Sequence, residues 1–463
     1  MKSGQKKKSY EIDMCHGPLF GKILLFSVPL MLSGVLQLLF NAADVVVVGR
    51  FAGSQSLAAV GSTSSLINML TNVFIGLSVG TNVLIAHYYG AGQEKEVSDT
   101  VHTSVLLSVV CGIILTALGA GLAKPLLELM GTPEDVLDKA ALYMRIYFIG
   151  MPVMLLYNFG SSILRAIGDT KRPLYYLTAA GVVNVVLNLL FVITLQMDVA
   201  GVALATIISQ CISAGCIVVC LMKTEGCFQL MPGRLKIHKD KLFRIVRIGL
   251  PAGMQGAIFS VSNVLIQSSV NSFGSLVMAG NTAASNIEGF VYTAMNAMHQ
   301  TAVSFTGQNL GGKQFDRINK VLFQCLAIVM VVGLVFGNGA AFFGRYILRL
   351  YSSDGEVIGY GMVRLGIICT FYCLCGMMDT MVGAIRGLGY SVMPMIVSLI
   401  GACGLRVLWV MTIFQWERTL LCLYISYPVS WAITFAVHVI CYAVVRKRMK
   451  KMYGQCLQTQ LAG

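Results

Sequence analysis

Long unbroken apolar stretches, separated by short polar segments, are the dominant pattern along the chain. Twelve are read, at approximately 23–48, 58–86, 102–123, 141–163, 174–195, 199–222, 248–271, 277–304, 321–343, 360–383, 393–415 and 421–445. At about 1.5 Å per helical residue, each reaches across most or all of a hydrocarbon core of about 30 Å. A lipid-embedded backbone has to satisfy its own hydrogen bonds, so the pattern predicts an all-α polytopic membrane protein with twelve transmembrane helices. The first run is far longer than the roughly 7–15 residues of a signal-peptide core, so the first helix is expected to stay in the chain.

Composition agrees. Of 463 residues 56% are hydrophobic and only 12% charged, with mean hydropathy +0.75, whereas soluble domains carry roughly 25% charged residues. The net charge of +14 would by itself admit a nucleic-acid partner; its distribution points elsewhere. Of the 34 Lys and Arg, 25 fall in the two tails and the alternate loops on their side of the membrane. The intervening loops hold Arg50, Lys124, Lys139, Arg345, Arg349 and Arg418, and Arg145, Arg364 and Arg406 lie within spans. By the positive-inside rule both termini are cytoplasmic and the protein belongs in the cytoplasmic membrane. The clusters "KKK" at 6–8 and "RKRMKK" at 446–451 read as topology signals that also touch anionic lipid, and no nucleic-acid binding is expected. The cysteines are scattered through apolar spans, and the closest set, Cys369, Cys373 and Cys375, has no His or acidic companion at metal spacing. They read as small packing residues, with no metal site expected.

Displacing the chain by about 221 residues brings its halves into register. "LRAIGDTKRP" at 164–173 falls on "IRGLGYSVMP" at 385–394, matching Arg165 to Arg386, Gly168 to Gly389 and Pro173 to Pro394. "YYGAGQ" at 88–93 falls on "LGGKQ" at 310–314. The predicted organisation is a cytoplasmic tail (1–22), an N-terminal lobe of six helices (23–222), a basic cytoplasmic linker (223–247), a C-terminal lobe of six helices (248–445) and a second cytoplasmic tail (446–463). Six is even, so both lobes insert with the same orientation, the parallel kind of repeat found in transporters.

Three acidic residues, Asp44, Glu288 and Asp379, fall within spans. A charge near the bilayer centre costs about 2.5–3.5 kcal/mol on insertion scales, so each should line a watery cavity, be paired or be protonated. Ser33, Gln37, Asn41 and Asp44 are spaced 4, 4 and 3 apart and share one face of the first helix. Asn184 and Asn188 on the fifth helix, with Thr206, Gln210 and Ser213 on the sixth, would complete a polar cavity in the N-terminal lobe. The alternative for the amides is plain interhelical hydrogen bonding. In the eighth helix Asn281, Ser285, Glu288, Tyr292, Asn296 and His299 form a second stripe. Asp379 precedes Arg386 by seven residues, and Arg406 lies deep in the eleventh span, where a structural ion pair with one of the two acids is the competing reading.

Weaker motifs add little. "GAG" at 90–92 and "LGGKQ" lack the spacing of a phosphate loop and read as turns. Gly249 and Gly253 form a GxxxG read as close helix packing. No Ser-His-Asp, Cys-His or H-E-x-x-H arrangement occurs, so the chain is not read as an enzyme.

"NAADVVVVGR" in the first span, "GAGQ" after the second, "LRAIGDTKRP" before the fifth, "GVALAT" opening the sixth and "GQNLGGKQ" after the eighth together resemble the MATE family, multidrug and toxic compound extrusion transporters. The resemblance runs from about residue 20 to 445 and is nearer the DinF-like than the NorM-like branch. It implies two six-helix lobes arranged as a V, exporting organic cations against inward H+ or Na+, with no cofactor beyond that transported ion. In that branch the first-span aspartate couples the ion, a role carried over to Asp44 with Asn41 beside it. The fifth-span Asn-x-x-x-Asp pair falls on Asn184 and Asn188, and the sixth-span threonine on Thr206. Asn188 departs from that pattern by carrying an amide in place of the acid, and "PAGMQGAIFSVSN" lacks the seventh-span glutamate of the NorM-like branch. Glu288 and Asp379 are then the candidates for the missing titratable group.

The expected activity is multidrug export by alternating access, the substrates being small, cationic and amphipathic. Asp44 either takes a proton or, with Asn41, Asn184 and Asn188 carbonyls, ligates Na+. A functional monomer in contact with lipid is expected. A lipid-linked oligosaccharide flippase of related architecture is the competing function and would need a basic cavity; a cation channel is a third, against which the duplication argues.

Overall fold

The computed structural model describes residues 10–461, the side chains of Ser54 and of residues 452–461 excepted; the basic cluster at 6–8 lies outside the described residues. The chain folds into twelve long helical elements: α1 (Leu19–Ala52), α2 (Ser54–Gly90), α3 (Glu94–Gly121), α4 (Glu134–Ile149 continued by Met151–Ala166), α5 (Lys171–Thr194), α6 (Asp198–Lys223), α7 (Lys239–Asn271), α8 (Ser275–Gly311), α9 (Phe315–Leu348), α10 (Gly355–Ile368 continued by Tyr372–Gly387), α11 (Val392–Trp416) and α12 (Leu420–Leu461).

Among the described residues nine helices are long and apolar enough to cross a membrane, and the bent pairs α4 and α10, with bends of 48° and 49°, raise the number to eleven. The twelfth, α8, has 37 residues and ample length. It falls short in apolarity because Asn281, Glu288, Asn296, His299 and Gln300 interrupt it.

The duplication is visible in the backbone itself. Left-handed residues recur 221 positions apart: Gly53 (φ 89°) and Gly274 (φ 101°), Gly92 (φ 67°) and Lys313 (φ 56°), Gly168 (φ 97°) and Gly389 (φ 88°). At each, a helix ends and the chain reverses. Glycine takes this conformation without steric cost; at the second of these turns the C-terminal copy uses Lys313 instead.

The chain divides into two compact units, residues 1–260 with 307–318, and residues 261–306 with 319–463. Within the first, α7 crosses α2 through two glycine pairs. A Cβ on Gly253 would lie 2.2 Å from the Val73 carbonyl oxygen, one on Gly249 2.5 Å from the Leu77 Cα, and one on Gly80 2.3 Å from the Ile245 oxygen. The GxxxG of α7 thus packs on Gly76 and Gly80 of α2, inside the chain, and replaces side-chain contact by backbone contact.

Residues 10–17 form a strap over the end of the same unit. Met14 is fully buried. Tyr89 donates to Glu11 (3.1 Å), Asn309 Nδ2 to the Met14 oxygen (3.1 Å), Arg317 Nη1 to the Gly17 oxygen (3.0 Å), and the Tyr10 ring covers the Arg172 guanidinium at 5.4 Å. In the second unit both halves of α10 pack along α12.

Candidate functional site

The site of the first unit is built on α1, α5 and α6. Gly181 of α5 leaves room for the Phe40 ring of α1, since a Cβ there would lie 1.8 Å from a ring carbon. That close approach carries Asp44, one turn beyond Phe40, to Asn188, whose Nδ2 donates to the Asp44 carboxylate. The same Nδ2 also donates to Asn184 Oδ1 at 3.2 Å. Two acceptors on one nitrogen fix the amide's orientation and leave Asn188 Oδ1 buried without a partner. Thr206 of α6 donates along its own helix to the Val202 oxygen at 3.0 Å and also reaches the Asp44 carboxylate. Tyr143 and Tyr147 of α4, their ring centroids 6.0 Å apart, lie within electrostatic range of Asp44. Among the described residues no cationic group lies within 4 Å of Asp44.

Asp44, Asn184, Asn188 and Thr206 are therefore brought together. Gln37 and Asn41 are exposed and Gln210 is half-buried, and none of the three hydrogen-bonds to that group. Two further features mark the locality. The helix α1 changes to a π-helical turn over Val48–Ala52, starting four residues after Asp44, and α5 does so over Leu190–Thr194, starting two residues after Asn188. Such turns are rare and collect at functional sites.

In the second unit Glu288 is paired with Arg364 rather than with Arg406. Arg364 Nε meets Oε1 at 2.8 Å and Nη2 meets Oε2 at 2.7 Å, a two-pronged bridge between α8 and α10. Arg364 Nη1 also donates to Asn281 Oδ1 at 2.7 Å, which accepts from Tyr424 at 3.1 Å, while Asn281 Nδ2 donates to Gln267 at 2.8 Å. Glu288 is 5% exposed and fully engaged. Asp379 is half-buried and hydrogen-bonded by Tyr292, which is itself exposed; its backbone oxygen is 2.7 Å from His299 Nδ1. Arg406 donates from Nε to Ser430 at 2.8 Å and stacks over Tyr427 at 4.2 Å and Trp431 at 5.4 Å.

A third cluster lies at the loop between α4 and α5. Buried Asp169 caps the first turn of α5, accepting from the backbone N–H groups of Lys171 and Arg172 at 3.1 Å each, and binds the Arg172 guanidinium. Burial pushes the Asp169 carboxyl above its ordinary range despite Arg172 and the two amides. Arg172 Nη1 also reaches Thr224 at 3.0 Å, tying α5 to the end of α6. Sequence reasoning passed over this cluster, although the D-x-x-R spacing at a helix start was its signal.

A family model described as MatE matches residues 29–190 and again 251–411, two stretches whose starts lie 222 residues apart. The probable multidrug resistance protein YoeA of Bacillus subtilis (strain 168) is 28% identical over 418 residues, covering 89% of this chain and 90% of that protein. An FAD transporter of Shewanella oneidensis is 25% identical over 356 residues, 74% of this chain and 77% of that protein. A solved MOP superfamily transporter from Pyrococcus furiosus, its binding pocket described as reversed in polarity, shares the fold at TM-score 0.90 with 22% identity, covering 96% of this chain and all of that one. With the family model matched twice over most of its length, this multi-pass membrane protein belongs to the MatE family, the multidrug and toxic compound extrusion transporters.

Proposed function

We propose that the protein is a secondary active exporter of small organic molecules, cationic amphipaths among them, driven by inward H+ or Na+ through the Asp44 site. The observation that carries this reading is a carboxylate inside a membrane span whose hydrogen-bond partners, Asn188 and Thr206, are all neutral. An unpaired carboxylate in such a place accepts a cation of some kind, and three compete for it: a proton, Na+ and the cationic substrate. The partnerless Asn188 Oδ1 supports Na+ as one occupant, because amide and carboxylate oxygens are the ligands a hard cation takes.

Ion and substrate exclude each other at Asp44. Loading the ion neutralises the carboxylate and releases the substrate; unloading it restores the charge that draws the next cation. Coupling follows if the two loaded forms favour different openings of the two lobes. The protein acts in the cytoplasmic membrane with both termini inside, and as a monomer. Glu288 is spent on Arg364, so Asp379 is the candidate for a second titratable group in the C-terminal lobe. The same pairing weakens the oligosaccharide-flippase alternative, since it neutralises one of the arginines a pyrophosphate would need.

The test is transport of ethidium in liposomes under an imposed pH or Na+ gradient, wild type beside Asp44→Asn. Transport driven by one gradient and abolished in the variant is expected. Full gradient-driven efflux by Asp44→Asn would overturn the assignment.

A further inference from the structure

The turn between α8 and α9 belongs in sequence to the C-terminal repeat, yet residues 307–318 fall in the first compact unit. Their contacts explain why. Gln308 Nε2 donates to the Ala166 oxygen at the end of α4 at 2.6 Å. A Cβ on Gly90 would lie 2.1 Å from the Gln308 oxygen, and one on Gly311 2.0 Å from the His87 oxygen. Gly90 and Gly311 are repeat mates, 221 positions apart, so α2 and α8 meet there backbone to backbone, with no interlocking side chain at the contact.

Residues 10–17 lie across both ends. On the α2 side Tyr89 donates to Glu11, and Ile12 lies against Gly168 of the α4–α5 turn, where a Cβ would stand 2.6 Å from the Ile12 nitrogen. On the α8 side the Cys15 thiol donates to the Gln308 oxygen at 3.4 Å, Asn309 to the Met14 oxygen and Arg317 to the Gly17 oxygen. The equivalent segment of the second half, 231–238, makes the reciprocal reach: the Met231 N–H donates to His102 Nε2 and the His238 N–H to Thr103, both at 3.1 Å, on α3 of the first half. Each half thus sends its lead segment onto the other. The strap cannot keep both sets of contacts if the end of α8 parts from the end of α2. It is also the weakest of the elements there, held by one fully buried side chain, Met14, and by single hydrogen bonds of modest net worth.

We propose that residues 10–17 are a latch on alternating access: docked, they hold the end of α8 on the end of α2 and keep the cytoplasmic side shut, and each transport cycle requires them to leave. The inference rests on the exporter reading, which supplies the two openings. Lys22 of α1 donates to the Asp13 and His16 oxygens at 2.6 and 2.5 Å, so the latch is joined to the helix that carries Asp44.

A Cβ on Gly312 would lie 3.1 Å from Cys15 Sγ, so a thiol at position 312 is within disulfide reach of the strap. Gly312→Cys is oxidised with copper phenanthroline in liposomes, and the bond is read by peptide mapping. Oxidation should lower gradient-driven ethidium transport about tenfold or more, dithiothreitol should restore it, and Cys15→Ser with Gly312→Cys, treated alike, should be unaffected. Undiminished transport by the cross-linked protein would overturn the proposal, and so would failure of the bond to form. A second measurement needs no transport: hydrogen exchange of residues 87–92 and 307–312 in nanodiscs. Met14→Asp, which places a charge at a fully buried position, should speed that exchange about tenfold, and oxidised Gly312→Cys should slow it relative to its reduced form. Faster exchange confined to residues 10–17 would leave the strap a packed tail and overturn the latch. Should Met14→Asp fail to fold, the cross-linked variant decides. Absence of ethidium transport from the wild type would count against the exporter reading, and the exchange results would then decide the latch by themselves.

Discussion

Asn188 Nδ2 hydrogen-bonds the Asp44 carboxylate across the α1–α5 crossing, so a family position expected to carry an acid instead supplies the acid's donor. The pair holds one negative charge between two groups. Removing the donor leaves Asp44 without its principal partner, and a hydrogen bond to a charged group is worth about 1.5–3 kcal/mol. Asn188→Leu is therefore expected to lower gradient-driven transport about tenfold or more at a fixed gradient, with the folded yield little changed, as read in liposomes. Wild-type rates in that variant would remove Asn188 from the site.

The crossing of α7 over α2 makes a steric prediction. Gly253 meets the Val73 carbonyl so closely that any side chain must push the helices apart, whereas a Cβ on Gly256 would find its nearest neighbour at an ordinary 3.5 Å. Gly253→Leu should cost well over the roughly 1–3 kcal/mol of ordinary overpacking and lower the melting temperature in detergent or abolish folding. Gly256→Ala, one turn on, should melt like wild type. Equal melting of the two variants would mean that the glycines are not in contact.

Why the sequence disclosed some of this and not the rest follows from distance along the chain. Hydrophobic runs report membrane spans because each helix meets lipid on its own, without reference to a partner. The turns at Gly168 and Gly389 are local too, and the repeat made both visible. The contacts of Asp44 with Asn188 and Thr206, and of Asn188 with Asn184, join polar stripes read on three helices, although the exposed Gln37 and Asn41 share the helix face without sharing the contact. Pairing was not readable. Glu288 had Arg364 and Arg406 as possible partners, 76 and 118 residues away, and only the packing of α10 against α8 selects the former. The strap at residues 10–17 was read as part of a tail for the same reason, since its partners Tyr89, Asn309 and Arg317 are remote in sequence.

The Glu288–Arg364 bridge predicts a specific pattern of loss and rescue. Breaking a buried pair by removing one partner strands the other charge and costs about 3–5 kcal/mol. Glu288→Gln and Arg364→Gln should each lower the melting temperature strongly, and the double variant should be more stable than either single one, because no charge is left alone. A double variant showing the sum of both losses would mean that the two residues act independently.

The strap carries a pH dependence whose sign is set by Asp13. Burial opposes ionisation of its carboxyl, but the Cys15 backbone N–H, His16 and Lys22 outweigh that cost and hold it below the ordinary carboxylate range. The unfolded strap therefore binds a proton more readily than the docked one. Stability from this group is fully present above the ordinary value of about 4 and is lost as pH falls through the lowered folded value. Hydrogen exchange at residues 10–17, corrected for its intrinsic pH dependence, should stay level from neutral pH down to about 5 and rise only in stronger acid. Asp13→Asn keeps the shape but weakens two charge-assisted contacts, so exchange should already be about fivefold faster at neutral pH, corresponding to about 1 kcal/mol, and the acid rise should disappear. Protection that is the same in variant and wild type at every pH would show that Asp13 does not hold the strap, leaving it to Met14 and the contacts with Tyr89, Asn309, Arg317 and Arg172.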